Sequence, residues 1–176
     1  MNIIAGKYKG RRLKYDAKGV RPTQDRVKEA VFSMLGGQFD GYACLDMFSG
    51  SGSLGLEALS RGASRVDCVD RDIDLLLLNS QWVPETEGFN VFKRDVFNFL
   101  ESCKERYDVV FVDPPWDFPE AYQRSLLALR EFAILKPTAR IVLEHRDTSL
   151  DLSDFECIKQ KKMGRTSISI IKEKHE

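Results

Sequence analysis

From residue 42 onward the chain alternates short apolar runs with stretches whose apolar positions recur every three or four residues. The runs "ACLDMF", "RVDCVD", "FNVFKR", "YDVVFVD" and "ARIVLEH" each predict a strand. The intervening segments 53–61, 72–81, 96–104 and 119–135 carry the helical period. Ahead of them, "RPTQDRVKEAVFSMLG" predicts a further helix. Thr23 is placed to cap it, Val27, Ala30, Val31 and Met34/Leu35 line one face, and Gly36-Gly37 ends it. Strands alternating with helices imply right-handed βαβ units, and hence an α/β fold with a mostly parallel sheet covered on both faces. After "ARIVLEH" the alternation stops. Two strand-like pieces flank Met163-Gly164-Arg165, which predicts a C-terminal antiparallel hairpin and brings the sheet to seven strands.

Composition narrows the class without naming a chemistry. The 176 residues suffice for one well-cored domain, and 43% hydrophobic with 31% charged residues is ordinary for a soluble protein. No window approaches the roughly 18 uninterrupted apolar residues of a membrane span, and "MNIIAGKYKG" lacks a signal-peptide core, so a cytoplasmic location is expected. Cys44, Cys68, Cys103 and Cys157 form no CxxC pair and read as reduced structural thiols, with no metal site expected. The net charge of zero conceals an asymmetry: residues 1–28 hold nine Lys or Arg against Asp16 and Asp25. Residues 1–22 therefore read as a basic extension, expected to form a β-hairpin, ahead of a main domain over 23–176. A basic arm on an acidic body suggests a polyanionic partner.

"LDMFSGSGSLGLEALSRG" sets Gly50, Gly52 and Gly55 between a strand and a helix, with Asp70 ending the next strand. That context fits a nucleotide-type ligand whose ribose hydroxyls donate to the acid. Both dinucleotides and S-adenosylmethionine satisfy it. Asp46, four residues before Gly50, would repel a pyrophosphate but suits a cationic amino-acid end, which favours the methyl donor. In "KRDVFNFL", Asp95 and Val96 could meet an adenine edge, although Asp95 is equally a helix N-cap.

"VDPPW" ends the fourth strand with an acid, two prolines and an aromatic. Pro-Pro is an ordinary exit from a sheet, but ligands of open α/β sheets sit where strand order reverses. Strands one and four are expected to flank that point, which would bring Asp46, the glycine loop and Asp113 together. Trp116 would offer a stacking face to a base.

Together "DMFSGSGSLGLEALSRG", "DPPW" and "RPTQDRVKEAVFSML" resemble the Rossmann-like class I methyltransferases that modify exocyclic amines. With "IIAGKYKGRRL" added, the chain is similar over nearly its whole length to the RsmD family of bacterial 16S rRNA guanine-N2 methyltransferases. The resemblance implies donor contacts from Arg21, Thr23, Asp46, Phe48, Gly50, Gly52, Asp70, Asp95 and Val96. It implies a catalytic loop of Asp113, Pro114, Pro115 and Trp116. Lys7, Lys9, Arg11 and Arg12 would hold RNA phosphates, with Lys159, Lys161, Lys162 and Arg165 as a second contact. The implied partner is 16S rRNA or a small-subunit particle, and the implied state a monomer. Trp116 and Asp70 depart from the family's more frequent Phe or Tyr and Glu. A DNA adenine-N6 methyltransferase shares the tetrapeptide but usually carries a recognition domain for which this chain has no room. Protein glutamine methylation would favour Asn at position 113, an oxidoreductase is opposed by Asp46 and "DPPW", and a silent RNA-binding module by the full set of donor-site residues.

Overall fold

The structure is a computed structural model that describes residues 1–15, 24–146 and 149–175. Arg21 and Thr23 lie outside the described residues. The elements run α1 (Gln24–Met34), β1 (Ala43–Met47), α2 (Ser53–Ser60), β2 (Arg65–Asp70), α3 (Asp74–Ser80), β3 (Phe89–Lys93), α4 (Val96–Ser102), β4 (Tyr107–Val112), α5 (Glu120–Glu131), β5 (Leu135–His145), β6 (Phe155–Met163) and β7 (Thr166–Glu173). They build one seven-stranded sheet in the order β3-β2-β1-β4-β5-β7-β6. Strands β1 to β5 pair in parallel, and β7 runs antiparallel to both β5 and β6. The order reverses between β1 and β4, as expected from the strand pattern.

Alternation within the buried runs assigns the two faces. Leu45, Met47, Val110, Val112, Ile141 and Leu143 point to the side covered by α4 and α5. Cys44, Val66, Cys68, Val109, Phe111 and Val142 point to α1, α2 and α3. Neighbouring residues of one strand thus serve opposite cores, which is why the runs are apolar throughout. All four cysteines are free thiols, Cys44 and Cys68 buried as expected.

One boundary differs from the sequence pattern. The helix expected to reach 135 stops at Glu131, and Ile134 and Leu135 leave toward β5. Ala133 takes a left-handed conformation, φ 52°. Its N–H donates to Arg130 O, and Ile134 N–H to Leu129 O, both at 3.0 Å. This pair of bonds closes a helix of the kind that glycine usually ends. With alanine there, the apolar period runs on past the true end.

The basic N-terminal segment is packed along α2 rather than free. An antiparallel bridge joins Asn2 to Arg12, and bonds from Ile3 N–H to Arg11 O, Gly10 N–H to Ile3 O and Leu13 N–H to Met1 O, at 2.9, 2.8 and 2.9 Å, fold residues 1–13 into a hairpin-like turn. Ile3 and Leu13 are buried against Leu56. The turn between them reaches the far end of α2, where Lys7 N–H donates to Ser60 O at 2.7 Å. Lys7 also pairs with Glu87, and the Arg11 guanidinium lies 4.1 Å from the Trp82 ring centroid. Lys28, counted in the sequence with the basic arm, is instead 3% exposed. Its Nζ donates to Asn2 O and to Ser53 Oγ.

Candidate active site

At the strand-order reversal the carboxyl ends of β1 and β4 lie side by side, with Met47 opposite Val112 in register. Phe48 and Asp113 leave the sheet there together. A cavity of about 490 Å³ opens at this point, lined by Asp46, Phe48, Gly50, Asp70, Asp95, Val96 and all of Asp113–Trp116. That size is typical of a small-molecule site. Gly52 is not part of the lining.

The glycines divide the labour. Gly50 follows the turn with open space beside its Cα, so a ligand can approach its backbone. Gly52 has φ 77°, and a Cβ there would stand 2.2 Å from Leu76. A Cβ on Gly55 would stand 2.5 Å from Cys68 Sγ and 3.2 Å from Asp46 Oδ2. Gly55 lets α2 sit close enough to donate its N–H to Asp46 at 3.0 Å. Ser49 ties the turn to both strands, its Oγ donating to Asp46 O at 2.7 Å and Val69 O at 3.2 Å. Phe48 accepts a left-handed φ of 58° without being glycine.

Three acids stand at the ends of three adjacent strands, and each is held differently. Asp70 accepts from Gly50 N–H at 2.8 Å and Asp72 N–H at 3.1 Å, one on each oxygen. Asp95 caps α4, accepting from Phe97 and Asn98 N–H, and pairs with Arg71 through its other oxygen. These bonds to the charged form hold its carboxyl below the usual range despite partial burial. Both readings of Asp95 are therefore compatible with one geometry: a cap whose carboxylate also faces the cavity. Asp46 is 2% exposed. Burial pushes its carboxyl up to about 8, and the charge of Asp70 pushes the same way against the Gly55 bond. The sequence suggested a standing carboxylate; at neutral pH this burial favours the protonated group.

This has a measurable consequence. An ammonium beside Asp46 favours the carboxylate, so binding of a ligand with a cationic head requires the proton to leave. Affinity for S-adenosylhomocysteine should therefore rise as pH climbs from about 6 toward about 8, by at most about tenfold per unit. Calorimetric titration checks this, with 5′-methylthioadenosine, which lacks the amino-acid head, showing a flat profile.

On the opposite wall the "DPPW" loop is rigid. Pro114 is buried, and Phe118 N–H closes a turn on Pro115 O at 3.0 Å. Trp116 is 40% exposed, so it is not core packing. The Arg146 guanidinium lies over it, 3.5 Å from the ring centroid. Sequence reasoning did not single out Arg71, Phe97, Phe118, Glu144 or Arg146. The last two stand at the end of the fifth strand, which also borders this reversal, and that position was the available signal. His145 bonds Ser169 Oγ and the Arg146 carbonyl, a structural role. Lys9 and Arg12 are exposed, but the Lys7 turn lies at the end of α2 away from the cavity.

The residues fit S-adenosylmethionine on their own chemistry. An acid row spans the reversal, apolar side chains close the middle, and the glycine loop from Phe48 to Gly55 carries no basic side chain to meet a pyrophosphate. The comparisons point to a methyltransferase. The model for the family "Conserved hypothetical protein 95" matches residues 1–172. The chain is 37% identical over 185 residues to "Putative rRNA methyltransferase YlbH" of Bacillus subtilis, covering 99% of this chain and 100% of the relative. It is 40% identical over 151 residues to "Ribosomal RNA small subunit methyltransferase D" of Haemophilus influenzae, 82% of this chain and 78% of that one. Among solved structures, "Putative methyltransferase yhhF from Escherichia coli" superposes with a TM-score of 0.85 at 27% identity, covering 98% and 97% of the two chains. With this cavity at the reversal of a seven-stranded class I sheet, the chain belongs to the conserved hypothetical protein 95 family, that of the RsmD methyltransferases.

Proposed function

We propose that the protein transfers a methyl group from S-adenosylmethionine to the exocyclic N2 of one guanine in 16S rRNA, as free RNA or within a small-subunit particle. The observation that carries this reading is the convergence of the acid row and the Asp113–Trp116 loop on one cavity. The names of the relatives supply the rRNA class.

Bound S-adenosylmethionine supplies an electrophilic methyl group on a sulfonium. Asp46 faces its ammonium, Asp70 its ribose hydroxyls, and Asp95 with Val96 its adenine edge. On the acceptor side, a guanine amine is a poor nucleophile because its lone pair is delocalised into the ring. The Asp113 carboxylate and Pro114 carbonyl accept its N–H bonds, favour the pyramidal amine and take up charge as it develops. Trp116 offers the extruded base a stacking surface worth about 1–3 kcal/mol. The lysines of the β6–β7 hairpin hold phosphates around it, and Arg12 and Lys9, on the N-terminal turn, hold those of more distant RNA.

The deciding experiment maps N2-methylguanine by mass spectrometry in ribosomal RNA from cells lacking this protein. One site in 16S rRNA should lose its mark and regain it on complementation. An unchanged map refutes the substrate.

A further inference from the structure

The cavity that holds Asp46 also holds a buried cation. Lys28 lines it, although its side chain is only 3% exposed. The ammonium donates to two neutral oxygens, Asn2 O and Ser53 Oγ, the latter at 3.1 Å. Its acidic neighbours stand farther off, Glu57 at 3.5 Å and Asp25 at 4.0 Å. Glu57, moreover, is already served by Arg61 Nε at 2.8 Å and by the N–H groups of Ile4 and Ala5 at 2.8 and 3.1 Å. Glu57 thus divides its charge between Lys28 and Arg61, and Asp25 stands at the outer limit of an ion pair. Burial lowers the affinity of Lys28 for its proton, a penalty that a bound anion would relieve.

Lys28 and Asp46 are fixed to successive parts of one helix start. Lys28 bonds Ser53, the first residue of α2, and Asp46 bonds Gly55 two residues on. A cation and an acid anchored two residues apart on one helix start, and lining one cavity, match a ligand group that carries both charges on a single carbon. An amino-acid head is such a group.

We propose that Lys28, with the Ser53 hydroxyl, binds the carboxylate of the donor's amino-acid end, while Asp46 binds its ammonium. The inference rests on the S-adenosylmethionine reading of the cavity and assigns a residue of α1 to it. Lys28 is then a specificity-determining residue: it makes the site prefer adenosyl ligands with an intact α-carboxylate over decarboxylated ones.

The test measures dissociation constants for the full chain with three ligands: S-adenosylhomocysteine, its decarboxylated analogue and 5′-methylthioadenosine. Wild-type protein should bind the first at least about tenfold more tightly than the second, the usual scale for one charge-assisted bond. K28M should lose that preference while keeping its affinity for 5′-methylthioadenosine, and K28R should retain most of it. Equal binding of the first two ligands by the wild type overturns the proposal, whether or not K28M folds. So does a K28M protein that keeps the preference, or one that weakens all three ligands alike. Wild-type protein that binds none of the three rejects the donor reading itself, and the role of Lys28 with it.

Discussion

Asp113→Ala should reduce methyl transfer by about a hundredfold or more while leaving S-adenosylhomocysteine affinity within about twofold, because the lost acceptor acts on developing charge rather than on the donor. The half-buried carboxylate sits one residue past Val112, whose register neighbour Met47 precedes Phe48 on the donor side. Asp113 is therefore aligned with the donor wall by the sheet, while Pro114 is buried beneath the loop and holds it in place. Removing the carboxylate leaves that backbone intact. Asp113→Asn separates two contributions, since the amide oxygen still accepts an N–H but carries no charge. It should fall between wild type and Asp113→Ala. Single-turnover rates with an rRNA fragment, paired with calorimetric donor titrations, make the comparison. Normal turnover by Asp113→Ala would remove the loop from the chemistry, and equal loss of donor binding would point to a collapsed cavity.

How far the sequence reached is clearest at particular residues. The sheet was legible because buried parallel strands are apolar on both faces, so each of the five runs stood out. The strand-order reversal followed, and with it the meeting of Asp46 and Asp113. Three features escaped. Ala133 ends α5 in a conformation that glycine normally signals, so the helix read too long. Asp46 was read as charged because a sequence carries no measure of burial; at 2% exposure the solvation that would keep it ionised is gone. Lys28 was counted with the arm because charge along a chain does not reveal which side chains a later helix encloses. Its environment depends on Glu57 and Ser53, more than twenty residues away. The site residues named from local motifs line the cavity wherever they are described, save Gly52, which Leu76 holds to a packing role.

The same long-range dependence makes Glu57 the residue whose loss should damage the fold most. It sits in the middle of α2, fully buried, a position that helical periodicity assigns to the core. One oxygen accepts from Ile4 N–H at 2.8 Å and faces Lys28; the other accepts from Ala5 N–H at 3.1 Å and Arg61 Nε at 2.8 Å. A single carboxylate thus fastens the N-terminal segment, α1 and the end of α2 to one another. Glu57→Leu fits the volume but takes the shared carboxylate from Lys28 and Arg61 and leaves two backbone donors without an acceptor away from water. Breaking a buried pair in this way costs about 3–5 kcal/mol. Urea denaturation should show that loss, and hydrogen exchange at Ile4 and Ala5 should accelerate beyond the global change. Because Met1 and Lys28 line the cavity, donor affinity should fall in the same variant even where it remains folded. A destabilisation under about 1 kcal/mol would mean that water or relaxed backbone can replace the carboxylate, and that the segment is held chiefly by Ile3 and Leu13. Protection that survives at Ile4 and Ala5 would lead to the same conclusion.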